Sequence, residues 1–187
     1  MVKQAVQNNF AEHVRTVQDF PEAGVLFYDI APLVGNGAIF ASLISEMAEP
    51  LRDEVTKVAC FDARGFIFGA PLATELGVGM TMLRKAGKLP GQTKKQDYGL
   101  EYGRNTLEIQ ADALTNEDKV VLVDDVIATG GTAEAGIDIV RSFGANIVQF
   151  CAVMDLPHLG GSAKIAERGI EVRSIMQFTG KNNGIAM

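Results

Sequence analysis

The chain has 187 residues and a mass of 20.0 kDa, which fits one domain with a sizeable buried core. Its 47% hydrophobic and 21% charged residues are typical of a globular protein, and a net charge of −6 argues against a protein that binds nucleic acids. The N-terminal residues lack a signal-peptide core, and no apolar run approaches the roughly 20 residues of a membrane span. Cys60 and Cys151 lie in apolar segments, as buried reduced thiols would. A cytoplasmic protein is therefore expected.

The first half of the chain alternates predicted helices with predicted strands. Residues 1–17 carry apolar side chains at helical spacing, and this predicted helix ends before Pro21. Residues 20–30 begin as a turn and continue as an apolar extended segment. The predicted elements that follow are a helix at 38–51, a strand at 55–60, a helix through Leu76 and a strand at 79–83.

The second half continues this alternation after a basic, polar segment at 84–97. Two short extended runs on either side of residues 103–105 predict a hairpin. The later predicted elements are strands at 119–123, 147–154 and near 170–177, helices at 131–143 and near 162–168, and a polar tail at 179–187. Strands that alternate with helices predict one α/β domain built on a doubly wound parallel sheet.

The most informative stretch is residues 120–133, where a strand, a turn and a helix follow each other. Val120–Val123 is an unbroken apolar run, typical of a strand covered on both faces. Asp124 and Asp125 end the run, and the turn that follows contains Ala128, Thr129, Gly130, Gly131 and Thr132. Small residues let backbone N–H groups converge and the next helix adds its positive N-terminus, so the turn can hold a phosphate. Because the two acids would repel that phosphate, they suit an adjacent sugar diol or metal ion. The alternative to a ligand site is a plain strand–turn–helix with no ligand.

Two further segments carry basic side chains suited to phosphate oxygens. Arg64 follows a predicted strand, where a guanidinium can grip phosphate bidentately, although a surface pair with Asp62 is the alternative. Residues 84–95 hold five of the 17 basic side chains of an acidic chain and contain glycines, as expected of a mobile flap that neutralises a leaving group. A solvated charge run is the alternative for that segment.

Together these segments resemble the type I phosphoribosyltransferases, and the branch that acts on adenine in particular. The resemblance covers about residues 18–176, with four motifs in matching order. It implies an α/β fold with a mostly parallel five-stranded sheet flanked by helices, a hood at about 1–35 and a flexible flap hairpin at about 84–110. It also implies that adenine and phosphoribosyl diphosphate (PRPP) give AMP and pyrophosphate, with Mg²⁺ bound through PRPP or pyrophosphate rather than directly by the protein, and a homodimer.

The resemblance assigns roles on the PRPP side of the site. In the family the two acids lie beside the ribose hydroxyls and the turn cradles the 5′-phosphate, which implies these roles for Asp124, Asp125 and residues 128–132. The segment Asp62–Phe66 implies that Arg64 contacts the pyrophosphate and takes part in catalysis. The flap pattern Arg-Lys-x-Gly-Lys-Leu-Pro implies ligand contacts by Arg84, Lys85 and Lys88, with Arg84 also catalytic, whereas Lys94 and Lys95 lie outside it and are expected to be solvated.

The resemblance also bears on the choice of base. Leu-Glu-Tyr-Gly implies that Glu101 acts near N7 of the purine and that Tyr102 contacts the nucleotide. Enzymes for hypoxanthine and guanine carry an aspartate at the position of Ala128, so the alanine favours adenine. A phosphoribosyltransferase for another purine, or a sensor of PRPP or nucleotide on the same fold, remains the alternative.

The implied adenine pocket lies in the hood segment Asp19–Asp29. Backbone groups near Leu26 and Tyr28 would read the base, and the ring of Phe27 would pack on it. Relatives commonly have arginine at the position of Tyr28, so only a backbone contact is carried over there. Leu156 matches a base-packing leucine, although a leucine at that place is a core residue by default.

Overall fold

A computed structural model describes residues 9–99 and 105–179 of the chain. The strands are β1 Arg15–Gln18, β2 Leu26–Asp29, β3 Lys57–Phe61, β4 Gly79–Lys85, β5 Thr93–Tyr98, β6 Asn105–Gln110, β7 Lys119–Ile127, β8 Asn146–Asp155 and β9 Glu171–Gln177. The helices are α1 Ala31–Gly35, α2 Gly37–Ala48, α3 Gly65–Leu76, α4 Gly131–Arg141 and α5 Gly161–Glu167, with short 3₁₀ helices at Phe10–His13, Glu49–Leu51 and Pro157–Leu159. None of the described helices is both long and apolar enough to cross a membrane.

The main sheet has seven strands within the described residues, in the order β5-β6-β4-β3-β7-β8-β9. The strands β4, β3, β7, β8 and β9 are parallel, and β6 and β5 continue the sheet antiparallel to β4. The α/β fold with a mostly parallel sheet is thus confirmed, but the number of five strands is wrong. The reason is that the hairpin predicted as a flap joins the sheet through Arg84↔Glu108 and Lys85↔Leu107.

Strand β7 lies at the centre of the sheet and is covered on both faces, as predicted. Val121 and Val123 belong to one buried cluster, together with side chains of α2 and α3. Val120 and Leu122 belong to a second buried cluster, together with side chains of α4. Because alternate residues of a strand face opposite sides, this run of four apolar residues fills both layers of the core.

The N-terminal segment differs from the predicted helix over residues 1–17. Phe10–His13 form one 3₁₀ turn, and β1 then pairs antiparallel with β2, with Arg15 opposite Asp29 and ion-paired to it. The local spacing of apolar residues cannot reveal this pairing, because the paired residues are 8 to 14 positions apart in the chain. The segment therefore forms a small two-stranded sheet of its own beside the main sheet.

The predicted basic loop and hairpin also have different bounds. Thr93–Tyr98, placed partly in the loop by the sequence, form β5, and β6 begins at Asn105. The loop between β4 and β5 is therefore confined to residues 86–92. The turn around Gly103 and most of the polar tail lie outside the described residues.

Candidate active site

The candidate site lies where the carboxyl ends of neighbouring parallel strands meet. Strands β4, β3, β7 and β8 are adjacent in that order and parallel, so the residues that follow them gather at one edge of the sheet. Open α/β sheets bind their ligands at this edge. Every site segment predicted around Asp62–Phe66, Arg84–Lys88, Asp124–Thr132 and Leu156 follows or ends one of these strands.

The turn at 128–132 has the geometry of a phosphate-binding loop. Gly130 has a φ of +87°, a conformation that glycine adopts without strain, and α4 begins at the next residue. The unpaired N–H groups of the first turn of α4 therefore point toward the loop. Thr129 is exposed and Thr132 partly buried, so hydroxyl donors stand beside these N–H groups.

A second glycine pair, at the start of α5, supports this loop and was missed by the sequence reasoning. The Gly161 N–H donates to the Ala128 carbonyl at 3.0 Å. A Cβ on Gly161 would lie 2.3 Å from that carbonyl oxygen and 2.8 Å from the Gly130 nitrogen. Lys164 adds a bond from Nζ to the Thr129 carbonyl, 2.9 Å long. The repetition of Gly-Gly after β7 and after β8 is the sequence signal that could have revealed this support.

The two acids lie within the last four residues of β7, where Asp124 is partly buried and Asp125 is buried. Asp125 is 4% exposed, and its N–H donates to Asp124 Oδ1 at 2.8 Å. Burial, and next the charge of Asp125, raises the pKa of Asp124 well above its ordinary value. Burial also raises the pKa of Asp125, even though Arg64 opposes the shift. Two carboxylates in this environment are stabilised by hydroxyl donors or a cation, as a bound ribose diol or metal would provide.

Arg64 pairs with Asp125 and not with Asp62, which was the alternative considered from the sequence. Its Nε lies 2.8 Å from Asp125 Oδ2, an ion pair without an aligned hydrogen bond. The guanidinium carbon also lies 5.4 Å from the centre of the Phe27 ring. Glycine at position 65 lets the start of α3 lie close to β7, because a Cβ there would lie 2.9 Å from the Val123 carbonyl oxygen. Arg64 thus contacts both Asp125 and the Phe27 ring of the hood.

Arg84 and Lys88 converge on a single carboxylate oxygen of Asp62. The Arg84 Nε lies 3.2 Å from Oδ2 and the Lys88 Nζ lies 3.1 Å from it. Burial opposes charge on Asp62, but the hydrogen bonds and charges of Lys88 and Arg84 outweigh burial and hold the pKa of Asp62 below its ordinary value. Lys85, at the end of β4, is exposed. Two of the three flap residues predicted to contact pyrophosphate, Arg84 and Lys88, therefore form a cation cluster around an anchoring acid.

The two lysines predicted to be solvated behave differently from each other. Lys94 is partly buried: its Nζ donates to the Ser142 carbonyl at 2.9 Å and lies 3.7 Å from the centre of the Phe143 ring. The prediction for Lys94 is therefore wrong, because the sequence could not show that β5 packs on the end of α4. Lys95 is exposed, with its Nζ 3.6 Å from Glu108 Oε2.

The hood residues lie beside the PRPP side of the site. Leu26 and Phe27 are partly buried, and Phe20 meets the Phe27 ring edge-on at 5.0 Å. Tyr28 is 6% exposed and its ring lies 4.6 Å from that of Phe178, so its side chain belongs to the core. Burial raises the pKa of Tyr28. The resemblance implied only a backbone contact at Tyr28, and this agrees with the packing of its side chain in the core.

Leu156 and the flap tip were the remaining predicted contacts. Leu156 is fully buried in the cluster that contains Tyr28 and Ile30, the core placement expected by default. Its contact with a base stays a prediction. Glu101 and Tyr102 lie outside the described residues, so their assigned roles stay predictions as well.

Comparison with known proteins identifies the family. Residues 34–177 match the family described as the phosphoribosyl transferase domain. The adenine phosphoribosyltransferase of Chelativorans sp. is 43% identical over 180 residues, which is 96% of this chain and 99% of that protein. The crystal structure of adenine phosphoribosyltransferase from Thermoanaerobacter pseudethanolicus has a TM-score of 0.85 and 39% identity, covering 90% of this chain and 98% of that one.

A solved structure of a relative in complex with ligands is also similar to this chain. The adenine phosphoribosyltransferase of Saccharomyces cerevisiae, complexed with D-2,5-dideoxy-2,5-imino-altritol 1,6-bisphosphate and adenine, has a TM-score of 0.83 and 36% identity. The match covers 89% of this chain and 96% of the yeast chain. These likenesses extend over nearly the whole chain and agree with the loop, the paired acids and the cation cluster. The chain therefore belongs to the phosphoribosyl transferase family and, within it, to the adenine phosphoribosyltransferases.

Proposed function

We propose that this enzyme transfers the phosphoribosyl group of PRPP to adenine, which forms AMP and releases pyrophosphate in purine salvage. The observation that carries the proposal is the meeting of three features at one sheet edge. They are the phosphate loop at 128–132, the paired acids Asp124 and Asp125, and the cluster of Arg84 and Lys88 on Asp62. A substrate with a phosphate, a sugar diol and a diphosphate matches these features in kind.

Ribose 5-phosphate would be held at the end of β7. The N–H groups of the loop and the first turn of α4 bind the 5′-phosphate, while Asp124 and Asp125 accept hydrogen bonds from the ribose hydroxyls. Glycosyl transfer passes through a state with positive charge on the sugar ring. Two carboxylates beside the ring stabilise that charge, and the phosphate contacts position the reacting carbon.

Departing pyrophosphate would be bound by the basic side chains. Arg84, Lys85 and Lys88 lie at the end of β4 or on the following loop, and Arg64 lies at the start of α3. Arg64 is ion-paired to Asp125, so a contact of Arg64 with the diphosphate would open this pair. Asp125 is then free to accept the ribose hydroxyl.

We infer that Mg²⁺ enters the site with the substrate, bound through the oxygens of PRPP or pyrophosphate. Mg²⁺ keeps several of its waters and is commonly held by substrate phosphates rather than by a cage of protein ligands. Asp124 and Asp125 are assigned to the ribose hydroxyls. When bound, the ion neutralises charge on the leaving pyrophosphate.

The base would lie against the hood. The Phe27 ring and backbone groups near Leu26 and Tyr28 line this side, and Glu101 on the flap would hydrogen-bond N7 of adenine. Ala128 has no side chain that could take this role. Leu156 would add an apolar contact at the end of β8. A flap that closes over these residues would exclude water, which otherwise hydrolyses PRPP.

A coupled assay for pyrophosphate release tests the proposed function. The enzyme is given PRPP and Mg²⁺ with adenine, hypoxanthine, guanine or xanthine, and kcat/KM is compared. We expect adenine to be preferred by at least about a thousandfold, since a site built for an amine leaves buried groups unpaired when it meets a carbonyl. Comparable rates with guanine would assign the enzyme to another purine, and PRPP binding without turnover would favour the sensor.

The homodimer and the cytoplasmic location predicted from the sequence remain predictions. Ile67 on α3 and Met80 on β4 are large apolar side chains that are 39% and 38% exposed, which is consistent with a surface that a second copy covers. Sedimentation velocity at micromolar concentration measures the assembly directly. A sedimenting species of about 20 kDa would contradict the dimer.

A further inference from the structure

Glu108 is a buried acid that the proposed mechanism does not use. It lies on β6 between β4 and β5, and its cross-strand partners are Arg84 and Lys95. Cross-strand partners project from the same face of a sheet, so the glutamate stands between two cations. Only 2% of the residue is exposed. A buried carboxylate at this place is costly unless its oxygens are well paired.

The carboxylate of Glu108 is paired with the backbone of the loop at 86–92. Its Oε1 accepts hydrogen bonds from three consecutive N–H groups: Gly87 at 2.7 Å, Lys88 at 3.2 Å and Leu89 at 3.4 Å. Its Oε2 accepts the Thr93 hydroxyl at 3.2 Å. Burial alone would raise the pKa of Glu108, but these hydrogen bonds and the charge of Lys95 outweigh it and leave the pKa below its ordinary value.

Close packing does not hold the two glycines of this loop. A Cβ on Gly87 or Gly91 would meet no described atom within 4 Å, and Gly87 has a φ of +83°. Such a segment is held by its hydrogen bonds, and the convergence of three N–H groups on one oxygen fixes three successive peptide units. The middle unit belongs to Lys88, whose carbonyl accepts Arg84 Nη1 at 3.3 Å and whose Nζ reaches Asp62.

We propose that Glu108 is a positioning residue that fixes the loop at 86–92 and thereby sets Lys88 and Arg84 for the diphosphate of the substrate. This role rests on the proposed function, because it concerns the cations assigned to pyrophosphate. Glu108 itself contacts no substrate; it acts through the backbone on which Lys88 is carried. The carboxylate of Asp62 fixes the side-chain end of Lys88, and Glu108 fixes its main-chain end.

Hydrogen exchange of the ligand-free, full-length protein tests whether Glu108 holds the loop. In Glu108→Gln, which keeps the volume and removes the charge, the amides of residues 87–89 should exchange about tenfold faster than in wild type, because bonds to a charged acceptor are lost. Lys95→Met is the matched control: it removes the nearby cation and leaves all three N–H bonds. Its loop amides should exchange within about twofold of wild type. Unchanged exchange in Glu108→Gln overturns the proposal.

Calorimetry with two probes tests whether the loop matters for the diphosphate. Inorganic pyrophosphate with Mg²⁺ should bind about tenfold more weakly to Glu108→Gln, whereas ribose 5-phosphate, which uses residues 128–132, should bind within about twofold of wild type. Glu108→Asp keeps the charge on a shorter side chain, and it should give intermediate rates of exchange and an intermediate affinity for pyrophosphate. If Glu108→Gln does not fold, Glu108→Asp decides whether Glu108 positions the loop. Equal weakening of both probes overturns the positioning role in favour of a general loss of structure.

These measurements are separate from the test of the proposed function. If wild-type enzyme forms no AMP from adenine, the proposed function fails, while exchange and pyrophosphate binding still decide whether Glu108 fixes the loop. If AMP forms but the loop amides of Glu108→Gln exchange as in wild type, the function stands and the positioning role is wrong.

Discussion

The carboxylates at the two ends of the site differ in the direction in which the fold shifts their pKa. At the sugar end, burial raises the pKa of Asp124 and Asp125, so the folded protein disfavours their charge. At the basic end, hydrogen bonds and nearby cations outweigh burial and lower the pKa of Asp62 and Glu108. In the first pair, Asp125 Oδ2 has an ion pair with Arg64 but no hydrogen bond, so it can accept one from a ligand. The second pair has its partners already, and it holds other groups in place.

The loops at the two ends are also held by different means. At the sugar end, close packing leaves no room: a methyl group on Gly161 would collide with the backbone of the phosphate loop. At the basic end, the loop at 86–92 has open glycines and is held by a buried glutamate. Close packing and hydrogen bonds to a buried carboxylate are thus two different ways in which the fold fixes a loop that borders the site.

The largest effect is expected from Gly161→Ala, which breaks the packing at the sugar end. The added methyl would meet main-chain atoms, so the phosphate loop must shift, and overpacking of this kind costs about 1–3 kcal/mol in stability. A displacement near 1 Å can lower kcat/KM about a hundredfold. Steady-state kinetics with PRPP and urea unfolding measure both effects.

A glycine in an open position provides the control for that variant. A Cβ on Gly37 would meet no described atom within 4 Å and its φ is not positive, so Gly37→Ala should keep full activity and gain up to about 1 kcal/mol. Equal kinetics of Gly161→Ala and wild type would show that the loop tolerates movement, and the contrast between the two ends would be lost.

The next largest effect is expected from Asp124→Asn, which separates activity from stability. Loss of the charge beside the sugar should lower kcat by about tenfold or more, and Asp125→Asn should do the same. Because the pKa of Asp124 is raised in the folded state, its charge costs stability at neutral pH. Asp124→Asn should therefore unfold at a higher temperature than wild type at pH 7.

The pH dependence of that stability difference supplies the check. As the pH falls through the raised pKa of Asp124 toward the unfolded value of about 3.9, wild type regains the lost stability and the advantage of Asp124→Asn should disappear. Thermal unfolding between pH 7 and pH 4 follows this change. A less stable Asp124→Asn protein with normal turnover would mean that the acid is structural.

The smallest effect is expected from Asp62→Asn, and it has the opposite sign. This change removes the charge that holds Arg84 and Lys88, and it should lower the free energy of unfolding at pH 7 by about 1–2 kcal/mol. Because the pKa of Asp62 is lowered, this stability is present above the unfolded value and is lost as the pH falls through the folded value. Urea unfolding from pH 7 to pH 3 should show the difference between variant and wild type shrinking only below about pH 4. A stabilised Asp62→Asn would contradict the distinction between the two pairs of acids.

Sequence reasoning found the centre of the molecule because its signals are local. Four apolar residues before Asp124 predicted a strand covered on both faces, and β7 fills both layers of the core. Small residues followed by a helix pattern predicted the turn at 128–132 and the start of α4. Such features depend on neighbours within a few positions, so the order of residues alone specifies them.

Contacts between distant parts of the chain were beyond the reach of those patterns. Residues 15–17 of the predicted N-terminal helix belong to β1 because a partner strand was available. The predicted flap added two strands to the sheet because Arg84 and Lys85 pair with β6. For Arg64 the sequence suggested only Asp62 as a possible ion-pair partner, whereas the folded chain pairs it with Asp125, which lies far along the chain.

The order of residues thus determined the alternation of strands and helices and the positions of the acids and the turn at 128–132, since strand, turn and helix preferences are local. The family followed from the resemblance of the motifs. The tertiary structure decided which acid pairs with which cation, why Gly161 must be small and what holds Lys88. These features arise where strands and helices from separate parts of the chain come together. Burial and ion pairing depend on every group around a side chain, and only the folded arrangement brings those groups within a few ångströms of one another.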